Sequence, residues 1–258
     1  MPGLRTLIMG AGALAAVGGV ATLPVLVKPH EASLLSERAS YEVCLKSDLV
    51  FFKDAPAKCY APADVRALAD HQVLDSGGEP ASLAMVHPTD ATMAPMDCRT
   101  CAQYREARFD GWFVESARDM RREAYFVRAC GVLAAIAEAQ AAKESYFTNG
   151  SPAEAEVAAL ASTMSFGEPQ SENQLVAKGS NHVWMITSGP ATIAMQELAN
   201  ADFDNDGVEE ILVTFTGGLA GGTAAYHDVG YLEKDGPGAA LAFSPLDFES
   251  ARNGAAGG

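Results

Sequence analysis

Asp202-Phe203-Asp204-Asn205-Asp206-Gly207-Val208-Glu209-Glu210, running directly into Ile211-Leu212-Val213, is the one stretch of this chain whose spacing implies a particular chemistry. Carboxylates at loop positions 1, 3 and 5 (Asp202, Asp204, Asp206) alternate with non-ligands, so a tightly coiled backbone can turn all three toward one centre. Gly207 at position 6 permits the sharp turn, Val208 at position 7 offers its carbonyl, and Glu210 at position 9 binds directly or through water. These oxygens suit a hard cation, and Ca²⁺ better than Mg²⁺, which keeps its waters and demands a strict octahedron. Without an ion the crowded carboxylates repel one another. The competing reading is an acidic surface turn, since Asp, Asn and Gly are ordinary turn residues.

The loop departs from an EF-hand: Val213 stands where the bidentate glutamate belongs, and residues 210–216 are β-branched and apolar where a helix should leave the loop. Its acids at positions 1, 3, 5 and 9, with glycine at 6, instead resemble the strand-flanked calcium loop of FG-GAP and VCBS-type repeats. That resemblance covers residues 202–216 in a single copy. It implies Asp202, Asp204, Asp206, Val208 and Glu210 as a Ca²⁺ ligand set between two strands.

Around the loop, short β-rich runs at 181–187, 192–198, 210–216, 223–233 and 240–243 predict a small antiparallel sheet, the acidic loop joining its second and third strands. Upstream, 62–69 starts on a proline and reads as a short helix, and 75–97, rich in Gly and Pro, as a long loop. Residues 98–147 form the strongest helical stretch, interrupted at Asp110-Gly111, with Phe113, Ala117, Met120, Ala124, Val127 and Gly131 on one buried face. Ser151 and Glu154 suggest a capping box opening another helix. The expected fold is therefore α+β: a mainly helical, cysteine-bearing region over 28–165, then a small antiparallel β-sheet over 175–250 carrying the calcium loop, then a loose tail over 251–258.

With 258 residues and 48% hydrophobic content the chain can bury a core, and a net charge of −15 opposes nucleic acid and anionic lipid. Arg5 followed by the uncharged run 6–27 reads as an export signal or membrane anchor. Membrane contact is thus expected only through that segment, if it stays uncleaved, with the rest of the protein periplasmic or secreted. In an oxidising compartment the five cysteines suggest up to two disulfides. The expected pairs are Cys44 with Cys59, and Cys130 with Cys98 or Cys101.

Cys98 and Cys101 have thiol oxidoreductase spacing but lack a preceding βαβ pattern, so a structural role is expected. Residues 217–222 are glycine-rich with no helix following, which suggests a hairpin loop and not a phosphate cradle. His227 and Asp228, adjacent on a strand, point to opposite faces. No catalytic residue is assigned. The expectation is an exported, calcium-stabilised binding or structural module whose partner is an unspecified protein or glycan. The alternatives are a periplasmic enzyme, either a thiol-disulfide oxidoreductase using Cys98 and Cys101 or a hydrolase using His227 and the ion, and an envelope-anchored scaffold.

Overall fold

A computed structural model describes residues 41–89, 93–164, 174–219 and 225–246. The expected export segment and C-terminal tail lie outside these residues, as do positions 220–222 of the glycine-rich loop. Chain order begins with β1 (Val43–Cys44) and β2 (Cys59–Tyr60), an antiparallel pair joined by the Cys44–Cys59 disulfide. Helix α1 (Pro62–Ala67) follows, with proline in its first turn as expected. Next come the antiparallel strands β3 (Leu83–Met85) and β4 (Met96–Cys98), then α2 (Cys101–Phe109) and α3 (Ala117–Glu138). Threonine and serine cap these two helices: Thr100 Oγ1 accepts from the Gln103 amide at 3.2 Å and Ser116 Oγ from the Asp119 amide at 3.0 Å. After α4 (Glu154–Thr163) run six strands, β5 (Gln174–Lys178), β6 (Val183–Ser188), β7 (Ala191–Ala201), β8 (Glu210–Leu219), β9 (Ala225–Glu233) and β10 (Ala242–Pro245). They form one antiparallel meander in the order β10-β9-β8-β7-β6-β5.

The expected fold class is corrected by this arrangement. The protein is mostly β, built on a six-stranded sheet that is not small, and the part before it is no helical region, since β1 to β4 are interleaved with its helices. Residues 75–97 are not one long loop: Leu83 and Met85 are buried in β3, a strand too short to show periodicity. Helix α3 stops at Glu138, well before Phe147, although Ala139-Gln140-Ala141-Ala142-Lys143 is a strong helix-forming sequence. Its backbone is occupied elsewhere, pairing with the acidic loop as described below. Tertiary hydrogen bonds thereby override local propensity. The Ser151–Glu154 capping box is absent too: α4 is capped at Ala153, whose amide donates to Glu156 Oε2 at 2.8 Å.

Alternation along β8 divides the core. Ile211, Val213 and Phe215 pack with Val157, Leu160 and Ala161 of α4, whereas Leu212 joins the larger cluster containing Phe126, Ala129, Val132 and Ile136 of α3. Both faces of the sheet are covered. The buried face of α3 also differs from the expected stripe, because Phe113, Ala117, Met120 and Ala124 are exposed. Of the expected stripe Val127 is half-buried and Gly131 buried, and the core side of α3 lies in its second half, from Phe126 to Ile136.

Gly230 shows how tightly β10 closes the sheet. A Cβ there would lie 2.3 Å from the Ser244 carbonyl oxygen and 2.6 Å from the Phe243 ring. Gly230→Ala is expected to cost about 1–3 kcal/mol as overpacking, measured by urea unfolding.

Candidate metal centre

The acidic loop spans the turn between β7 and β8, and its carboxylates converge. One ligand oxygen from each of Asp202, Asp204, Asp206 and Glu210 lies within 4.8 Å of the others, with Asp202 and Glu210 buried and Asp204 and Asp206 exposed. Main-chain amides hold each carboxylate. Asp202 Oδ1 accepts from Asn205 N at 2.7 Å and Oδ2 from Gly207 N at 3.0 Å; Asp204 Oδ1 accepts from Asp206 N at 3.0 Å. Asp206 Oδ1 accepts from Val208 N at 2.7 Å, and Glu210 Oε2 from Phe203 N at 2.7 Å. Such a self-bonded loop fixes acceptor directions before any ion arrives, which reduces the ordering entropy lost on binding.

Gly207 is required by its backbone: its φ of 95° lies in the left-handed region, while the stem of Lys143, 3.5 Å from where a Cβ would stand, leaves ordinary contact room. Phe203, at loop position 2, turns inward and stacks on Tyr231 at 5.2 Å between centroids.

The extended segment after α3 forms the outer wall. Gln140 and Asp202 exchange both backbone bonds, at 2.9 and 3.0 Å, the Lys143 amide donates to the Gly207 carbonyl at 2.8 Å, and the Glu209 amide donates to the Glu144 carbonyl at 2.8 Å. Val208, expected to ligate through its carbonyl, pairs with Glu144 in a parallel bridge. Glu209 points away from the four acids and accepts from Ser145 Oγ and Asn200 Nδ2.

Electrostatics at the centre favour a cation. Burial, joined by the charges of Asp204, Asp202 and Asp206 and opposed by the bond from Phe203 N, pushes the Glu210 carboxyl up to about 8. A divalent ion would relieve that repulsion. The four oxygens can hold a metal ion, and a purely carboxylate donor set selects hard cations over thiophilic ones.

The thiols are arranged differently. Cys101 is bonded to Cys130, tying α2 to α3, and Cys98 is the free cysteine, buried, its Sγ 3.6 Å from Met85 Sδ. Of the two expected partners for Cys130, the helix-borne one is used. Burial and then the Asp97 charge push the Cys98 thiol up to about 11, so little thiolate exists at neutral pH. Alkylation under non-reducing conditions is expected to label no cysteine in the native protein, one after denaturation and five after reduction, read by intact mass. The two disulfides indicate folding in an oxidising, extracytoplasmic environment. Among the described residues no helix is long and apolar enough to cross a membrane.

His227 is exposed on one side, and partial desolvation of its ring, then the Arg128 charge, lowers its pKa. The neighbouring Asp228 accepts from the Val229 amide at 2.9 Å. Sequence reasoning missed a second polar centre. Glu197 on β7 is fully buried and accepts from Lys46 Nζ at 2.6 Å, Trp184 Nε1 at 2.8 Å and Ser151 Oγ at 2.8 Å. Its one legible signal is phase: Ile193, Met195 and Glu197 share a strand face, and the first two are core residues. His182, in a hairpin turn at φ 59°, places Nδ1 3.8 Å from Glu197 Oε2. With every oxygen so engaged, Glu197 acts as a clasp between β1–β2, the segment before α4 and the sheet. No protein-family model, curated protein or solved structure matches this chain.

Proposed function

We propose that this protein is an exported, calcium-stabilised binding or structural module, its acidic loop of the strand-flanked FG-GAP and VCBS type. The observation that supports it most is the convergence of Asp202, Asp204, Asp206 and Glu210 at the junction of β7, β8 and the 139–147 segment. An ion there would fix the turn that joins β7 to β8, and with it the backbone that pairs with Gln140, Lys143 and Glu144. Calcium fits because all the donors are oxygens and the exposed side of the loop leaves room for waters to complete six to eight ligands. The role we assign is structural, because the loop backbone ties the segment after α3 to the β7–β8 turn. The oxidising environment supports residence in the periplasm or outside the cell, where calcium modules bind at about 10⁻⁴ to 10⁻³ M.

Titration calorimetry of the metal-free chain tests the reading. One calcium per chain is expected, with affinity in that range and lost in Asp204→Ala. Absence of heat at millimolar calcium, or equal binding by the variant, contradicts it.

A further inference from the structure

We propose that the sulfurs of Cys98, Met85 and Met96 form a second metal site, for the soft monovalent cation Cu⁺. The site lies on the β3–β4 ribbon, shares no residue with the acidic loop, and holds whether or not that loop carries an ion. Cys98 Sγ lies 3.6 Å from Met85 Sδ, and both residues are 0% exposed. Met96 is the cross-strand partner of Met85 and stands two residues before Cys98, so the pleat puts all three on one face of the ribbon, where Met96 packs half-buried against the core. Asp97, between them, is exposed on the opposite face and paired with Arg99. The fourth position on the inner side is Leu83, opposite Cys98. The two strands thus present sulfur and hydrocarbon alone toward the core.

Two observations set this cluster apart from ordinary sulfur packing in a core. Three of the nine methionines, Met85, Met93 and Met96, fall within residues 85–98 together with the one cysteine outside a disulfide. That cysteine is also kept from oxidation. An odd thiol in an oxidising compartment ordinarily pairs with another chain, but no part of Cys98 reaches the surface, and Cys101, three residues on, is already bonded to Cys130. The protein therefore holds one reduced sulfur in its interior with a thioether turned to it.

Charge and geometry identify the ion. Binding exchanges the thiol proton for the metal: Cys98–SH and Cu⁺ give Cys98–S–Cu and H⁺, which leaves to solvent, while the thioethers donate lone pairs and no oxidation state changes. One thiolate and one monovalent cation make a neutral unit, the form that an apolar interior tolerates. A divalent ion such as Zn²⁺ would leave a net positive charge buried there, and it prefers further thiolate or imidazole ligands. His87, two residues beyond Met85, sits against Trp112 instead, 5.3 Å between centroids. Thiolate and thioether donors select Cu⁺. With metal–sulfur bonds of about 2.3 Å, sulfurs 3.6 Å apart subtend about 100° at a shared ion, which leaves its outer side open to Met96.

Competition for Cu⁺ between the full chain, its disulfides intact, and the chelator bathocuproine disulfonate, under anaerobic ascorbate, tests the proposal. One Cu⁺ per chain is expected to be retained, with X-ray absorption showing sulfur neighbours at about 2.3 Å and no nitrogen or oxygen. Cys98→Ala should lose the ion, and Met85→Leu and Met96→Leu should each weaken its binding roughly tenfold or more. Leucine conserves the volume of methionine, so these two variants keep the test valid if the cysteine variant folds poorly. The proposal is overturned by no retention, by nitrogen or oxygen neighbours, by retention unchanged in Cys98→Ala, which would mean an adventitious ion only, or by affinity unchanged in both methionine variants.

Discussion

Adding 10 mM Ca²⁺ to the metal-free protein is expected to raise its melting temperature by about 5–10 °C, and Asp204→Ala to remove most of that rise. The size follows from mass action. An ion bound at about 10⁻⁴ M and supplied at a hundredfold excess stabilises the folded state by about 2.7 kcal/mol. For a chain of this length each kcal/mol moves the midpoint by about 2–4 °C. Asp204 is the informative position because its side chain is exposed and its removal leaves the buried anchors Asp202 and Glu210 in place. The variant should melt close to the metal-free parent and stay there when calcium is added. Differential scanning fluorimetry with chelator and with calcium measures both.

Lys46→Ala is expected to destabilise the protein by about 3–5 kcal/mol at pH 7, the range for breaking a buried ion pair from one side. Glu197 would keep its charge, fully buried, with Trp184 and Ser151 donating to it and the His182 imidazole 3.8 Å away, and the Gly150 carbonyl would lose the Lys46 ammonium as well. Glu197→Gln should cost less, because an amide needs no counter-charge and its oxygen can still accept from Trp184. The pH dependence has a definite sign. Burial alone would raise the Glu197 pKa, but the bonds from Lys46, Trp184 and Ser151 hold it below the ordinary 4.5. The folded state therefore binds its proton less readily than the unfolded chain does. The clasp's contribution is present above pH 4.5 and is lost as the pH falls below that value. Urea unfolding of the parent and Lys46→Ala should show a gap at pH 7 that narrows toward pH 4.

The parts of the molecule legible in its sequence are those whose signals are local. The acidic loop could be read because ligand spacing and the turn glycine lie within nine residues. The strands around it could be read because Ile211, Val213 and Phe215 alternate with Leu212 and Thr214. The sheet's extent could not, since β5 exposes the apolar Leu175 and Ala177 beside the part-buried Val176 and so shows no alternation, and β1 to β4 are two or three residues long.

Residues 139–147 carry helical propensity and are extended because Gln140, Lys143 and Glu144 find backbone partners sixty or so residues away, at Asp202 and Gly207. The buried side of α3 was misjudged because its first turns, around Ala117 and Met120, lie on the surface while its buried face begins at Phe126. Glu197 was invisible for a related reason. A lone carboxylate in a strand looks solvated until Lys46, from the other end of the chain, is brought against it.

The most direct measurement is diffraction from crystals grown with calcium, using the anomalous signal at long wavelength. A single peak is expected about 2.3–2.6 Å from oxygens of Asp202, Asp204, Asp206 and, directly or through water, Glu210. Carboxylates turned apart into solvent, with no peak between them at millimolar calcium, would contradict the account.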